Sequence, residues 1–193
     1  MSYFSDAGRL LIEVLFGLAC GLFLLRVLLQ WATASFHNPI TQFFYRATNP
    51  LLVPLRRLIP PIGRVDSGGV LVAWLIQVIK LALLFALSGL ALAPPALLLL
   101  GLAELIELLL TVYLWLLIIY AILSFVGSDR RHPALPLLVQ LTEPVLRPIR
   151  RLLPMVGSID FSPMIAVLAI LLARVLVVRP IQDLGMRMAL GVG

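Results

Sequence analysis

Two sets of ionisable side chains in this sequence could do chemistry. The first lies inside long apolar runs: Glu13, Lys80, Glu107 and Arg174. A lone charge near a bilayer centre costs on the order of 2.5–3.5 kcal/mol on insertion scales. Acids and bases so placed therefore relay ions, neutralise one another as buried pairs, or escape singly, the acids to the outer interface and the bases by snorkelling. The second set lies between those runs: Arg56, Arg57, Arg147, Arg150 and Arg151. Guanidinium groups clustered in this way suit phosphate or carboxylate recognition.

Other site chemistry is missing from the sequence. His37 and His132 have no cysteine or paired acid at metal-ligand spacing. Cys20 is the single cysteine, which excludes a cysteine cluster and an intrachain disulfide. There is no glycine-rich phosphate loop, nucleophile elbow or zinc-protease helix. The sequence predicts no enzyme, no cofactor and no metal.

Lipid must surround most of the elements that position these charges. The 193 residues are 62% apolar and 12% charged, against about 45–50% and about 25% in a soluble domain. Four runs, roughly 8–33, 69–92, 103–126 and 161–179, are near the roughly 20 residues that a hydrocarbon core requires. The first is too long for the apolar part of a cleavable signal and carries Arg26. Arg26, with Gln30 and Trp31 beside it, is expected to snorkel to the interface. The stretch 96–102 is expected to be a short interfacial turn outside the third span. The net charge of +6 is not interleaved with stacking aromatics, so the sequence predicts no nucleic acid and favours anionic lipid head groups.

An offset of 94 residues aligns the chain on itself without gaps. Thr48-Asn49-Pro50 falls on Thr142-Glu143-Pro144, and Pro54-Leu55-Arg56-Arg57 falls on Pro148-Ile149-Arg150-Arg151. Pro60, Gly63 and Asp66 fall on Pro154, Gly157 and Asp160. Ten of the nineteen positions from 48 to 66 are identical, which marks an internal duplication. The expected fold is an all-α membrane protein of four transmembrane helices, arranged as two parallel helix–amphipathic loop–helix repeats over 1–95 and 96–193. The same offset maps Lys80 onto Arg174 and Glu13 onto Glu107. Each unit thus has an acid in its first span and a base in its second, and the sequence predicts ion pairs between them, with Glu104 and Arg179 as competing partners.

Short amphipathic helices are expected within 39–60 and 133–154. Asn38-Pro39 and Asn49-Pro50 each put a capping side chain before a proline suited to the first helical position. On a helical wheel Leu51, Leu52, Leu55, Leu58 and Ile59 fall on one arc, with Arg56 and Arg57 on the other. Such helices lie in the head-group layer. Asp66 and Asp160 stand where the next helix starts, as caps or dipole partners. Nine arginines in the two long loops, against Arg9, Arg179 and Arg187 opposite, predict cytoplasmic loops and external termini. Gly17-x-x-x-Gly21 and Ala169-x-x-x-Ala173 would suit close packing in the bundle or in a homo-oligomer.

The pattern Asn-Pro, Thr-x-Pro, Pro-x-Arg-Arg, Pro, Gly and Asp before an apolar helix resembles the YggT family, also called YlmG, of bacterial and plastid membrane proteins. The resemblance covers nearly the whole chain in two copies. Asp160-Phe161-Ser162-Pro163 follows the pattern closely, whereas Asp66-Ser67-Gly68-Gly69 departs from it and His132 stands for the first asparagine. The resemblance implies a multi-pass protein of the bacterial inner membrane, linked to osmotic tolerance, to the division gene neighbourhood and, in plastids, to cytochrome complex assembly. The expected function is a non-enzymatic scaffold or assembly factor whose basic cytoplasmic face docks a membrane or cytoplasmic protein partner and anionic lipids. The alternative is a channel or transporter subunit for ion or osmotic homeostasis.

Overall fold

A computed structural model of the chain describes residues 3–126, 134–152 and 160–190. Helix α1 (Tyr3–Trp31) is 29 residues long, about 43 Å, and outspans a hydrocarbon core of about 30 Å. Helix α3 (Ser67–Leu87) is the second crossing and α4 (Pro94–Val126) the third. The fourth is α6 (Ser162–Ala173), continued by a π-helical turn at Arg174–Val178 and then by α7 (Arg179–Leu190). Helix α2 (Pro39–Leu55) connects α1 to α3, and α5 (Ala134–Leu152) connects α4 to α6. The most apolar stretch of each crossing helix is less than a third buried within the chain. Leu11, Leu15 and Leu18 of α1, Trp115 and Ile122 of α4, and Leu168 and Leu172 of α6 point outward. Faces of this kind are covered by lipid.

Four expectations change. Residues 96–102 are not an interfacial turn: α4 starts at Pro94. Pro94-Pro95 suits a first turn, where no backbone N–H is required, and Ala96 to Leu100 are good helix formers. Residues 95 and 96, where the two repeats are expected to meet, lie in that first turn. The fourth crossing does not end at Arg179 but runs to Leu190. There the N–H of Arg179 reaches back five residues to the Arg174 carbonyl, and this wider turn accommodates Pro180, which has no N–H to give.

Each loop, thirdly, carries one helix, not two, among the described residues. Pro50 and Pro54 lie inside α2, and Pro144 and Pro148 lie inside α5. Pro50, Pro54 and Pro148 are on exposed positions, where the carbonyls they free can find other donors. Asn38 caps α2 by accepting from the Ile40 N–H at 2.9 Å. Asn49 caps nothing and instead receives a hydrogen bond from Arg26. α2 stops at Leu55, and Pro60 lies between it and a turn closed by Ile62 and Val65 with Gly63 at φ +60°. Pro154 and Gly157 lie outside the described residues.

Packing is the fourth change. The faces of Gly17 and Gly21 meet nothing within 4 Å, and Ala169 is exposed. Close approach occurs elsewhere. A Cβ on Gly101 of α4 would come 2.5 Å from Val78 Cγ2 and 3.3 Å from the Val78 backbone in α3. Without a hydrophobic force between helices in lipid, such backbone proximity is a main source of cohesion. Gly101→Val is therefore expected to destabilise the protein in detergent by about 1–3 kcal/mol, and Gly17→Val by nearly nothing. Thermal unfolding of the two variants checks this.

Candidate functional site: two arginine–aspartate latches

Each loop helix is fastened by an ion pair. In the first copy the Asp66 side chain caps α3 by accepting from the Gly69 N–H at 3.3 Å. Its Oδ2 accepts from Arg56 Nη2 at 2.5 Å and lies 3.5 Å from Arg26 Nε. One carboxylate thus joins the end of α2, the start of α3 and the loop end of α1. Arg26 and Asp66 are both 0% exposed. Arg26 Nη1 donates to Thr48 Oγ1 at 2.6 Å and to Asn49 Oδ1 at 2.9 Å, and its guanidinium stacks 4.5 Å from the Tyr45 ring. Arg26 does not snorkel. Phe23 and Val27, its neighbours on the helix face, are also buried, so it points into the protein.

The second copy repeats the latch with different chemistry. Arg150 Nε donates to Asp160 Oδ2 at 3.0 Å, Nη1 to Glu143 Oε2 at 2.8 Å and Nη2 to the Tyr120 hydroxyl at 2.9 Å. Asp160 also accepts from the Ser162 N–H at 2.9 Å. By the 94-residue offset Tyr120 takes the place of Arg26, and Glu143 that of Asn49. Asp160 is 37% exposed. Burial raises its pKa, but hydrogen bonds from Ser162 and the Arg150 guanidinium outweigh this and hold the carboxyl below its ordinary 3.8. A carboxyl lowered on folding stabilises fully above its unfolded pKa and loses this as pH falls through the folded value. Thermal midpoints of wild type and Asp160→Asn are therefore expected to converge as pH is lowered below about 3.8, with wild type the higher above it.

The arginine doublets are divided in role. The wheel places Arg56 beside Arg57 on the outer arc, but Arg56 and Arg150 turn inward to the aspartates. Arg57, Arg147 and Arg151 stay exposed. The leucine arc divides too: Leu52 and Leu146 are fully buried under the helices, while Leu51 and Leu58 are more than half exposed.

Within the spans, Arg174 Nη2 lies 3.1 Å from Glu107 Oε1 and also donates to Thr111 Oγ1. Lys80 Nζ lies 3.0 Å from Glu104 Oε2 on α4. Glu13 is exposed, and no ion pair joins it to another of the described residues. The symmetric pairing of Glu13 with Lys80 is thus replaced by a bond across the two repeats. Its cause is placement: α3 lies against α4 as well as against α1, and Glu104 stands one turn before Glu107. Among the described residues no group of three or more metal-ligating side chains is assembled.

Arg26, Tyr45, Tyr120 and Glu143 join the site without a motif that marks them in the sequence. The offset alignment of Arg26 with Tyr120, and of Asn49 with Glu143, is the available signal, since both exchanges alter charge at matched positions.

Both repeats have counterparts among known protein sequences. The family model described as CCB3/YggT matches twice, over residues 6–87 and 99–181. The uncharacterized protein YggT of Escherichia coli (strain K12) is 42% identical over 162 residues, 84% of each chain. An uncharacterized protein in the proC 3′ region of Vibrio alginolyticus is 40% identical over 86% of this chain and 90% of its own. An uncharacterized protein of Pseudomonas aeruginosa is 38% identical over 90% and 89%. No solved structure matches the chain. With two successive matches that bracket the two latches, the chain belongs to the CCB3/YggT family.

Proposed function

We propose that this protein is a non-enzymatic scaffold or assembly factor of the bacterial inner membrane, whose two loop helices form a basic docking face for a protein partner. The supporting observation is the division of each arginine doublet. One member fixes the helix to the transmembrane bundle, and its neighbour, Arg57 just past the end of α2 or Arg151 in the last turn of α5, stays exposed beside that fastening. A charge bias that only oriented the chain would need no such fastening. A rigid basic surface loses little side-chain freedom when an acidic partner or head group binds. The loops are cytoplasmic and the termini external on the count of arginines. The two bases deep within the spans each stand in a pair, Lys80 with Glu104 and Arg174 with Glu107, which favours a structural role over an ion path.

The test is Arg57→Gln, Arg147→Gln and Arg151→Gln combined, followed by crosslinking in native membranes and mass spectrometry. This set spares Arg56 and Arg150, whose loss would unfasten the helices. The crosslinked complex seen with wild type is expected to disappear while the variant remains folded in the membrane. A complex unaffected by the three changes, or ion flux through purified protein in liposomes, would sink the proposal.

A further inference from the structure

The two latches differ in charge. The first sets two guanidinium groups, Arg26 and Arg56, on one carboxylate, a formal +1. The second sets one guanidinium, Arg150, on two carboxylates, a formal −1. The cationic latch is also short of acceptors. Nη2 of Arg26 and Nε of Arg56 are buried without a hydrogen-bond partner, and Nε of Arg26 has only the 3.5 Å ion pair with Asp66; buried charged donors left in that way are costly.

Beside them lies a hollow of about 520 Å³ whose wall includes Gln30, Thr33, Ser35, Tyr45 and Arg56. The Tyr45 ring stacks on Arg26, so a second positive charge stands within one side chain of the hollow. Thr33 holds φ +53°, a left-handed conformation unusual for a β-branched residue. It closes α1 with the Ala34 N–H bonded to the Leu29 carbonyl at 2.9 Å. The negative end of the α1 dipole opposes an anion at this point, but its half charge is smaller than the full excess charge of the latch. Leu29 walls this hollow and also an apolar groove of about 630 Å³ formed with Ile40, Phe44, Leu116, Leu138 and Leu141. Both lie at the inner end of a crossing helix, level with lipid head groups.

We propose that the first repeat holds one anionic glycerophospholipid, its phosphodiester in the hollow against Arg56, Gln30 and Tyr45 and its hydrocarbon along the apolar groove. The second repeat does not, because Glu143 and Tyr120 replace Asn49 and Arg26 and reverse the sign of the latch. The inference rests on the loop side being a head-group surface, and narrows that surface to one site in one repeat.

Full-length protein in maltoside detergent, stripped of lipid, tests this by native mass spectrometry with phosphatidylglycerol, phosphatidylcholine or inorganic phosphate. One phosphatidylglycerol is expected to bind at least about tenfold more tightly than phosphatidylcholine, on the scale of a charge-assisted hydrogen bond. Ser35→Glu adds a carboxylate to the wall of the hollow without touching the latch, and is expected to weaken that binding by about tenfold or more. Arg57→Gln removes an exposed charge next to Arg56 and is expected to weaken it by at most about fivefold. Equal binding of phosphatidylcholine, or equal losses in the two variants, overturns the site. Inorganic phosphate that displaces the lipid at matched concentration overturns the lipid as its ligand. Retained phosphatidylglycerol in the triple Arg57, Arg147 and Arg151 variant, together with loss of the crosslinked partner, supports the lipid site; loss of both the lipid and the crosslinked partner in that variant overturns it and leaves the docking face standing.

Discussion

Asp66→Ala is expected to lower the stability of the detergent-solubilised protein by about 3–5 kcal/mol, the range for breaking a buried pair by removing one partner. Asp160→Ala, at the matching position of the other repeat, is expected to cost about 1 kcal/mol or less. The difference follows from what each carboxylate leaves behind. Without Asp66, the Arg26 guanidinium stays 0% exposed among Thr48, Asn49 and Tyr45, none of which carries a compensating charge. Without Asp160, Arg150 keeps Glu143 and the Tyr120 hydroxyl, and the site is partly open.

A second substitution separates charge from packing. If the penalty of Asp66→Ala is an uncompensated buried cation, adding Arg26→Met removes the cation and should restore more than half of the loss. Methionine fills much of the arginine stem's volume and adapts to irregular gaps. Arg56, 30% exposed, can then turn outward. Unfolding midpoints of the two singles and the double give the coupling. Equal costs for Asp66→Ala and Asp160→Ala would remove the buried-charge explanation, as would a double variant no better than Asp66→Ala alone.

How far the sequence reveals this arrangement depends on whether the signal is local. Four apolar runs and a ten-in-nineteen identity at a fixed offset are properties of short windows, and they lead directly to four crossings in two repeats. Asp66 at a helix start is legible for the same reason: a carboxylate before Ser-Gly-Gly and an apolar run is a cap signal. A proline after a capping residue suggests a helix start because that is its commonest helical position. In α2 and α5 the prolines instead lie within helices held from beneath by Leu52 and Leu146, and tertiary support overrides the local preference.

Arg26 is hidden for a different reason. Snorkelling assumes that a charged residue faces lipid, whereas the apolar residues around it give no contrast between a lipid face and a protein face. Phe23, Val27 and Gln30 share its side of α1, and only the arrival of α2 and α3 makes that side interior. The exchange of Arg26 for Tyr120 between repeats is the one clue in the sequence. Tyrosine and arginine at matched positions both satisfy a hydrogen-bonding role, and neither is needed on a lipid-facing wall.

The span charges carry the other large effect. Lys80 lies 14 residues into α3 from Asp66, a rise of about 21 Å, so its surroundings are hydrocarbon and its partial exposure is to lipid. Screening by water, which weakens a surface pair, does not operate there. Lys80→Met should therefore cost about 2–3 kcal/mol by leaving Glu104 alone, and Glu104→Gln about as much by leaving Lys80. The double change Lys80→Met with Glu104→Leu should return close to wild type, since a buried pair replaced by apolar groups of similar size is often neutral or better. Glu13→Gln should change little, because Glu13 lies 18 residues from Trp31, about 27 Å along α1, where it can reach the opposite interface. Unfolding of the five proteins in one detergent discriminates between pairings. Were Glu13→Gln as costly as Glu104→Gln, Lys80 would be bonded within its own repeat. If Glu104→Gln is much the costlier, the charge pair is a fastening between repeats, and a chain cut in the 88–93 turn should hold together through Lys80 and Glu104 but separate when Lys80→Met is added.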